Sequence, residues 1–592
     1  MSAKKVFILI GLAFITLHGI AQDVNLDSLL DAEMDKKNKN ETQLTEATFK
    51  TSRLNNSQTV ETPQKGVFDL KISHRFSTLG GSNGGFYNLF GIDNAASMRF
   101  GGDYGITDRL TIGGGRSSYE KEYDAFLKYR LLWQSTGKKN MPVSLSLLAS
   151  ATVKTLDATG GEKIKTSSGD YYYTFQALLA RKFSSNFSMQ LMPTVIRDNS
   201  VSENLYSIGV GARLKLTKRS GIIAEYYYQL PGYKLPGTYN SFSLGYEIET
   251  GGHVFQMILS NSFGITDRTF ITQTQDKWSL NQLHFGFNIS RVFNFNRSKN
   301  TEQKTNAGPA WVDSSNNNTA QNNKGLVQAT FKTSRLINGH TVETTQGGVL
   351  DLKVTHRFGK LNDGFYNLFG LDYASMRLGL DYGITDRLTI GAGRSTGGKV
   401  NSEKEYDGFI KYRLLWQSNG ERPMPVSLSV LSSVILSTAK NAVSDSVKRN
   451  ASDRYYFAYE VILARKFSEA FSLQLMPTMI HYNIVPTADV PNDLLAVGAS
   501  ARIKLSKRSS LNLEYYYQLP GHKLAGTTNS FGIGYEIETG GHVFQLQFTN
   551  STGMTERSFI TETDGRWKDG DIHFGFNIAR VFTIKKPRNN IQ

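Results

Sequence analysis

The stretch DYGITDRLTIG occupies residues 103–113 and returns, letter for letter, at 381–391. Its two arms alternate apolar and polar residues around Thr107-Asp108, which is turn chemistry, so it reads as a tight hairpin between two strands. The identity extends well beyond these eleven residues. ATFKTSRL at 47–54 recurs at 329–336, FYNLFG at 86–91 at 365–370, KYRLLWQS at 128–135 at 411–418 and YEIETGGHVFQ at 246–256 at 535–545. The spacing, 381 − 103 = 278 residues, is far beyond the roughly 20–50 residues of a solenoid or propeller repeat. Each copy is therefore a whole domain, with boundaries at 47–295 and 327–584.

Working outward from the hairpin, strand follows strand. In VFDLKISHRF (67–76), Phe68, Leu70, Ile72 and Phe76 share one face and Asp69, Lys71, Ser73 and Arg75 the other. In EYDAFLKYRLLWQ (122–134), Tyr123, Ala125, Leu127, Tyr129, Leu131 and Trp133 oppose Glu122, Asp124, Lys128, Arg130 and Gln134, with Phe126 the exception. Twelve such runs fill the first copy: 67–76, 96–106, 110–118, 122–134, 142–156, 171–183, 187–199, 205–217, 220–230, 239–250, 253–264 and 283–295. They are longer than the five or six residues, roughly, of an ordinary strand and match the roughly 9–11 that cross a bilayer at a tilt. One apolar face, one polar face and an even count predict an all-β fold: two tandem transmembrane, antiparallel, up-and-down β-barrels of about twelve strands each.

The connections fix the orientation. The even-numbered ones, such as ITD, SSN, KRS and GG, are mostly short, and the odd-numbered ones, such as STLGGSNGGFYNLFGIDN and ITDRTFITQTQDKWSLNQ, are generally long. Short periplasmic turns against longer external loops is the outer-membrane pattern. Matched positions lie 278 apart at Gly105 and Gly383, 283 at Trp133 and Trp416, 284 at Met192 and Met476, and 289 at Tyr226 and Tyr515. Each change of spacing falls in a long connection. Two separate barrels are expected rather than one of twenty-four strands, because each copy has its own lead-in ATFKTSRL and its own aromatic-ended last strand.

The chain opens MSAKKVFILIGLAFITLHGIAQ. Basic Lys4 and Lys5, an apolar run from Val6 to Leu17 and small Gly19 and Ala21 mark residues 1–21 as a signal peptide that is cleaved on export; with long amphipathic strands and no spanning helix, the expected location is the outer membrane. Residues 22–46 form a polar extension in which LDSLLDAEMDKK (26–37) is expected to make a short helix. The Asn-, Thr- and Gln-rich stretch 296–326 reads as a flexible linker, and 585–592 as a basic tail. There is no cysteine, which excludes disulfides, thiolate metal sites and a cysteine nucleophile. No eighteen-residue apolar run suggests a spanning helix. The formal charge of +16 is scattered rather than clustered, against nucleic-acid binding.

HRF, NLFGLD, YGITDRL, the Gly-Arg-Ser of GAGRS and KEYDGFIKYRLLWQ (404–417) resemble an uncharacterised family of bacterial outer-membrane β-barrel proteins, known chiefly as a domain of unknown function. The resemblance covers both copies. It implies a barrel and brings no reaction or ligand with it.

The chemistry sought by motif is mostly missing. There is no His-Glu-x-x-His, phosphate loop or EF-hand, and GGSNG (80–84) sits in a loop without the strand-to-helix turn of a nucleophile elbow. No cofactor or metal is expected. Three histidines recur, His74/His356, His253/His542 and His284/His573. His74 has lipid-facing parity near the outer rim, where a lipid hydrolase would keep its base; an interfacial histidine among girdle aromatics is the favoured reading. The expected lumen-lining residues are Asp69, Lys71, Arg75, Arg99, Asp103, Glu122, Asp124, Lys128, Arg130, Glu225, Glu247 and Glu249, matched by Asp351, Lys353, Arg357, Arg377, Asp381, Glu405, Asp407, Lys411, Arg413, Glu514, Glu536 and Glu538. In a narrow lumen such charges bridge one another or line a solute path. The leading expectation is a passive small-solute channel or transport component. A barrel pair anchoring an envelope assembly is the alternative, and a lipid-acting enzyme a lesser one. Outer-membrane lipid and the barrel-assembly machinery are the expected partners; the solute or protein partner is left open.

Overall fold

The computed structural model describes residues 42–585 except 87, 95, 157–165, 200–203, 251–252, 296–324, 328, 397–403, 421–422, 439–449, 486–488 and 540–541. The signal peptide, the helix expected at 26–37, most of the linker and nearly all of the tail lie outside the described residues.

All twelve runs of the first copy are strands: β1 (Val67–Thr78), β2 (Ser97–Gly105), β3 (Leu110–Ser117), β4 (Glu122–Leu132), β5 (Ser144–Lys154), β6 (Tyr171–Lys182), β7 (Phe187–Asp198), β8 (Asn204–Lys215), β9 (Ser220–Gln229), β10 (Ser241–Thr250), β11 (His253–Ser260) and β12 (His284–Asn294). The second copy repeats them: β13 (Val349–Lys360), β14 (Ala374–Gly383), β15 (Leu388–Thr396), β16 (Glu405–Leu415), β17 (Ser427–Ser437), β18 (Tyr455–Lys466), β19 (Phe471–Tyr482), β20 (Asp493–Lys504), β21 (Ser509–Gln518), β22 (Ser530–Thr539), β23 (His542–Thr549) and β24 (His573–Thr583). Neighbours pair antiparallel. β12 closes onto β1 and β24 onto β13, giving two separate closed barrels.

Side-chain parity is as the alternation demands. On β4, Leu127, Tyr129 and Leu131 are exposed on the outer wall, while Lys128 and Arg130 are fully buried inside. Such an apolar exterior over a charged interior inverts a water-soluble protein and suits a lipid solvent. Phe126, the exception in the pattern, points into the interior. A Cβ on Gly113 would lie 2.4 Å from its ring, so the glycine of β3 makes room for the phenylalanine of β4.

Three features were not given by the alternation. The lead-ins, which the sequence leaves unplaced, fill the barrels: residues 47–62 and 329–344 fold into the lumens, where Phe49, Leu54, Val60, Phe331, Leu336 and Val342 are buried. The long loop after β11 is not all surface. Its helix α1 (Asp267–Thr272), and α2 (Glu556–Thr561) in the second barrel, have every residue buried. Finally, His74 has outward parity as read but does not face lipid. The two barrels stand against each other, and His74 is buried with its ring centroid 6.1 Å from that of His356. A parity argument places a side chain outside a barrel but says nothing of what covers it there.

Candidate functional site

The lumens are the candidate site, and the charged residues read as lining them are there. Glu247, Asp124 and the other ten first-copy positions point inward, as do their twelve counterparts. Glu249 and Glu538 sit only half-buried at the short-turn rim, paired with Lys50 (2.6 Å) and Lys332 (2.8 Å) of the lead-ins. Most of the rest form ordered ion pairs inside the barrel. Lys71 bridges Asp69 (2.5 Å) and Asp103 (2.7 Å), and Lys353 does the same between Asp351 and Asp381 (2.6 and 2.5 Å). Arg99 clamps Asp124 through two bonds of 2.7 and 2.5 Å, and Arg377 holds Asp407 likewise. Arg213, missed in the sequence, pairs with Glu247 at 2.5 Å.

Most of the remaining charges hold the lead-in. The segment enters from the short-turn end, where Thr42–Leu44 pairs with Ser135–Gly137 and Trp133 Nε1 donates to the Thr45 carbonyl at 2.8 Å. It turns back on itself at Leu54–Ser57 and leaves beside Gly105, where a Cβ would meet the Gln64 carbonyl at 2.2 Å. Glu225 accepts from the Asn56 and Ser57 amides and the Ser57 hydroxyl (3.3, 3.0 and 2.7 Å). Arg75 donates to the Asn55 carbonyl (2.9 Å) and Asn56 Oδ1 (2.7 Å). Lys128 donates to Gln58 Oε1 and the Thr59 carbonyl (3.0 and 3.1 Å). Arg130 donates to the Val60 carbonyl and to Glu61 (2.8 Å each). Ser52 bonds Asp103.

The second barrel repeats the scheme. Glu514 accepts the amides of Ile337, Asn338 and Gly339, Arg357 donates to the Ile337 carbonyl, and Arg413 holds the Val342 carbonyl and Glu343. Burial pushes the Glu343 carboxyl up, but Arg413 at 2.6 Å outweighs it and holds the carboxyl below its ordinary value.

From the long-loop end the helices close the other mouth. Arg268 of α1 pairs with Glu122 (2.8 Å) and Glu120 and stacks over Tyr172. Arg557 of α2 meets Glu405 and stacks over Tyr456. Lead-in and helix meet at mid-height: Leu54, Leu178, Met192, Tyr227 and Phe270 belong to one apolar cluster, and Arg335 of the second lead-in pairs with Glu556 of α2 at 3.0 Å. A residual cavity of about 20 Å³ beside Arg335, Asn338 and Arg357 is room for about one water. The lumens are filled in this state.

The face between the barrels is two-fold. Asp93 on the first loop of one barrel meets Arg394 of the other; the matched residues Asp372 and Arg116 pair at 2.8 Å. Lys121 donates to Asn367 (2.6 Å) and Lys404 to Asn88 (2.7 Å). Towards the short-turn end His253 stacks on Phe544 and His542 on Phe255. The Arg of GAGRS and the Asp of NLFGLD thus serve this face. His74 Nδ1 has no hydrogen-bond partner among the described residues, and Ser73 is turned into the lumen.

Against known proteins, the family model of a membrane bound beta barrel domain (DUF5777), of unknown function, matches residues 49–293 and again 331–582. Among solved structures the chain is similar to KdgM porin (6% identity, 40% of this chain and 99% of that one, TM-score 0.25). It is also similar to the siderophore receptor PirA from Pseudomonas aeruginosa (10%, 88% and 81%, TM-score 0.19) and outer membrane phospholipase A from Escherichia coli (10%, 39% and 92%, TM-score 0.24). No curated protein matches the chain.

Proposed function

The chain belongs to this family of membrane-bound β-barrel domains, and from that premise we propose that it is an outer-membrane pair of small-solute channels, each shut at rest by its own lead-in. One observation carries the reading. The stopper is a segment outside the sheet, held from several sides by polar wall residues (Arg75, Lys128, Arg130, Glu225) that would line an aqueous path once it left. A polar lining of this kind supports passage of small polar solutes. The helix-bearing loop at the other mouth must yield as well.

The test uses the absence of native cysteine. Asn55→Cys with Ser243→Cys places two thiols where Asn55 Nδ2 now meets Ser243 Oγ at 3.0 Å. The matched second-copy pair, Ile337→Cys with Gly532→Cys, locks the other lumen. In planar bilayers the reduced protein opens and the oxidised protein stays silent. A protein that never conducts, with lead-ins free or locked, overturns the reading. The two-fold barrel face favours a second reading, a rigid anchor for an envelope assembly; silence together with co-purification of a stoichiometric partner supports it.

A further inference from the structure

A guanidinium keeps its charge inside a protein, and a charge taken out of water needs a counter-charge within reach. Most cations of the second lumen have one. Lys353 sits between Asp351 and Asp381, Arg377 on Asp407 and Arg335 on Glu556. Arg357 of β13 is different. It is fully buried, and its partners are all neutral: the carbonyls of His356 and Ile337 and the side-chain oxygens of Asn338, Asn577 and Gln547. Glu514 attracts it only from beyond ion-pair distance. The first barrel repeats the pattern. Arg75 is fully buried on the carbonyls of His74 and Asn55 and the side-chain oxygens of Asn56 and Asn288.

Beside Arg357 lies the cavity of about 20 Å³. The lead-in gives it Arg335 and Asn338, and the wall gives it Lys353, Thr355, Arg357 and Arg377; no carboxylate is among its lining residues. Nε and Nη2 of Arg335, Nε of Arg357 and Nδ2 of Asn338 are all buried with no hydrogen-bond partner among the described residues. Every one of these atoms is a donor. The matching Nε of Arg53, Nε of Arg75 and Nδ2 of Asn56 are unbonded in the same way. A water in the cavity would offer such donors about two lone pairs and no charge. A halide accepts from all sides and supplies the charge that Arg357 lacks, in a volume little larger than that of a water.

We propose that the cavity between Arg335, Asn338 and Arg357 is a binding site for a small inorganic anion of the size of chloride, the counter-ion of Arg357. Its donors come from two parts of the chain. Arg335 and Asn338 belong to the lead-in, while Lys353, Arg357 and Arg377 belong to the wall, so the bound ion ties one to the other. The small volume selects the ligand: chloride fits, and an organic anion such as gluconate does not. The site concerns the seating of the lead-in and stands whether or not the lumen conducts.

The experiment compares the full chain in detergent, at neutral pH, in sodium chloride and in sodium gluconate of equal ionic strength. Hydrogen exchange is read across 329–344 and, for reference, across β19 and β20. Exchange several-fold slower in chloride across 329–344, with the reference strands unchanged, is the expected result. Thr355→Asp sets a carboxylate in the lining beside Arg357, in place of the anion. Its lead-in should be as well protected in gluconate as the wild type is in chloride, and the difference between the two salts should vanish. Equal protection of the wild-type lead-in in both salts means that the cavity takes water only, and overturns the site. A chloride effect spread evenly over the reference strands is a general salt effect and overturns it too, as does a Thr355→Asp protein that keeps the full chloride response. The wild-type comparison depends on no variant folding.

Discussion

Replacing Arg116 and Arg394 by alanine should let the two barrels part. Each guanidinium is almost wholly buried against a carboxylate of the other barrel: Arg394 and Asp93 are 5% and 0% exposed, Arg116 and Asp372 4% and 6%. Removing one partner of a buried pair strands the other charge and costs about 3–5 kcal/mol; the cost is smaller for Arg116, because Asp372 keeps Lys121 at 3.5 Å. At about 1.4 kcal/mol per tenfold, losing Arg394 alone weakens barrel–barrel association by about two to three and a half orders of magnitude, and losing Arg116 alone by less. The pairs are separate contacts related by the two-fold, so their effects should roughly add. The linker would mask this in the intact chain by keeping the halves at high effective concentration. A protease site placed among residues 296–324 removes that tether. After cleavage in detergent, wild-type halves should co-migrate in size exclusion and the double variant should run as two separate barrels. Swapping charges, Asp93→Arg with Arg394→Asp, should restore part of the association. Wild-type halves that separate on cleavage, or variant halves that stay together, would refute the reasoning.

On the wall, Tyr129→Arg sets a cation where an exposed tyrosine now faces lipid, costing about 2–4 kcal/mol near the midplane; a lowered urea midpoint for the heat-modifiable form is the expected sign, and an unchanged midpoint counts against the face assignment. Lys128→Ala should leave the barrel heat-modifiable but orphan the acceptors on Gln58 and Thr59, at about 1–3 kcal/mol, seen as faster trypsin cleavage after Arg53. Gly113→Val should overpack against Phe126 by about 1–3 kcal/mol, and in a double-mutant cycle Phe126→Ala should cost less beside it than alone; additivity would deny the contact. Acid should loosen the second lead-in, because Glu343 is held below its ordinary value: a depressed carboxyl stabilises above the unfolded value and loses that as pH falls through the folded one. Hydrogen exchange across 329–344, corrected for intrinsic rate, should rise between pH 7 and pH 3, and constant protection would exclude Glu343 as a tether.

The barrels were legible because period-two alternation is a local signal repeated over twelve long runs, against which Phe126 stands out as the residue that breaks it. The lead-in was not legible. KTSRLNNSQTVET has no period, because its partners are strand side chains far along the chain: Ser57 meets Glu225 and Val60 meets Gln190. Its near-verbatim return in the second copy is the available signal, and taken alone it says only that the domain is duplicated. The buried helices were hidden in a loop too short and too polar for a helical pattern. The barrel–barrel face was invisible for another reason: Phe100, whose ring meets Phe358 of the other barrel, and His74 suit lipid and suit a neighbouring barrel equally well.

Both ends of each lead-in leave by the same mouth. Residues 42–45 lie along the turn at 134–137, and Gly66 returns to Gly105 before β1 begins. The segment is therefore a bight laid into the cylinder and not a rope passed through it: no free end has to cross the lumen, and the closed ring of strands is not linked with it. It can be withdrawn or reinserted after the last strand has met the first, without unzipping any pair of the wall. Filling and emptying the lumen is thus a topologically free operation, limited on the wall side by bonds such as those at Arg75, Glu225, Lys128 and Arg130 and not by the order in which the barrel was built.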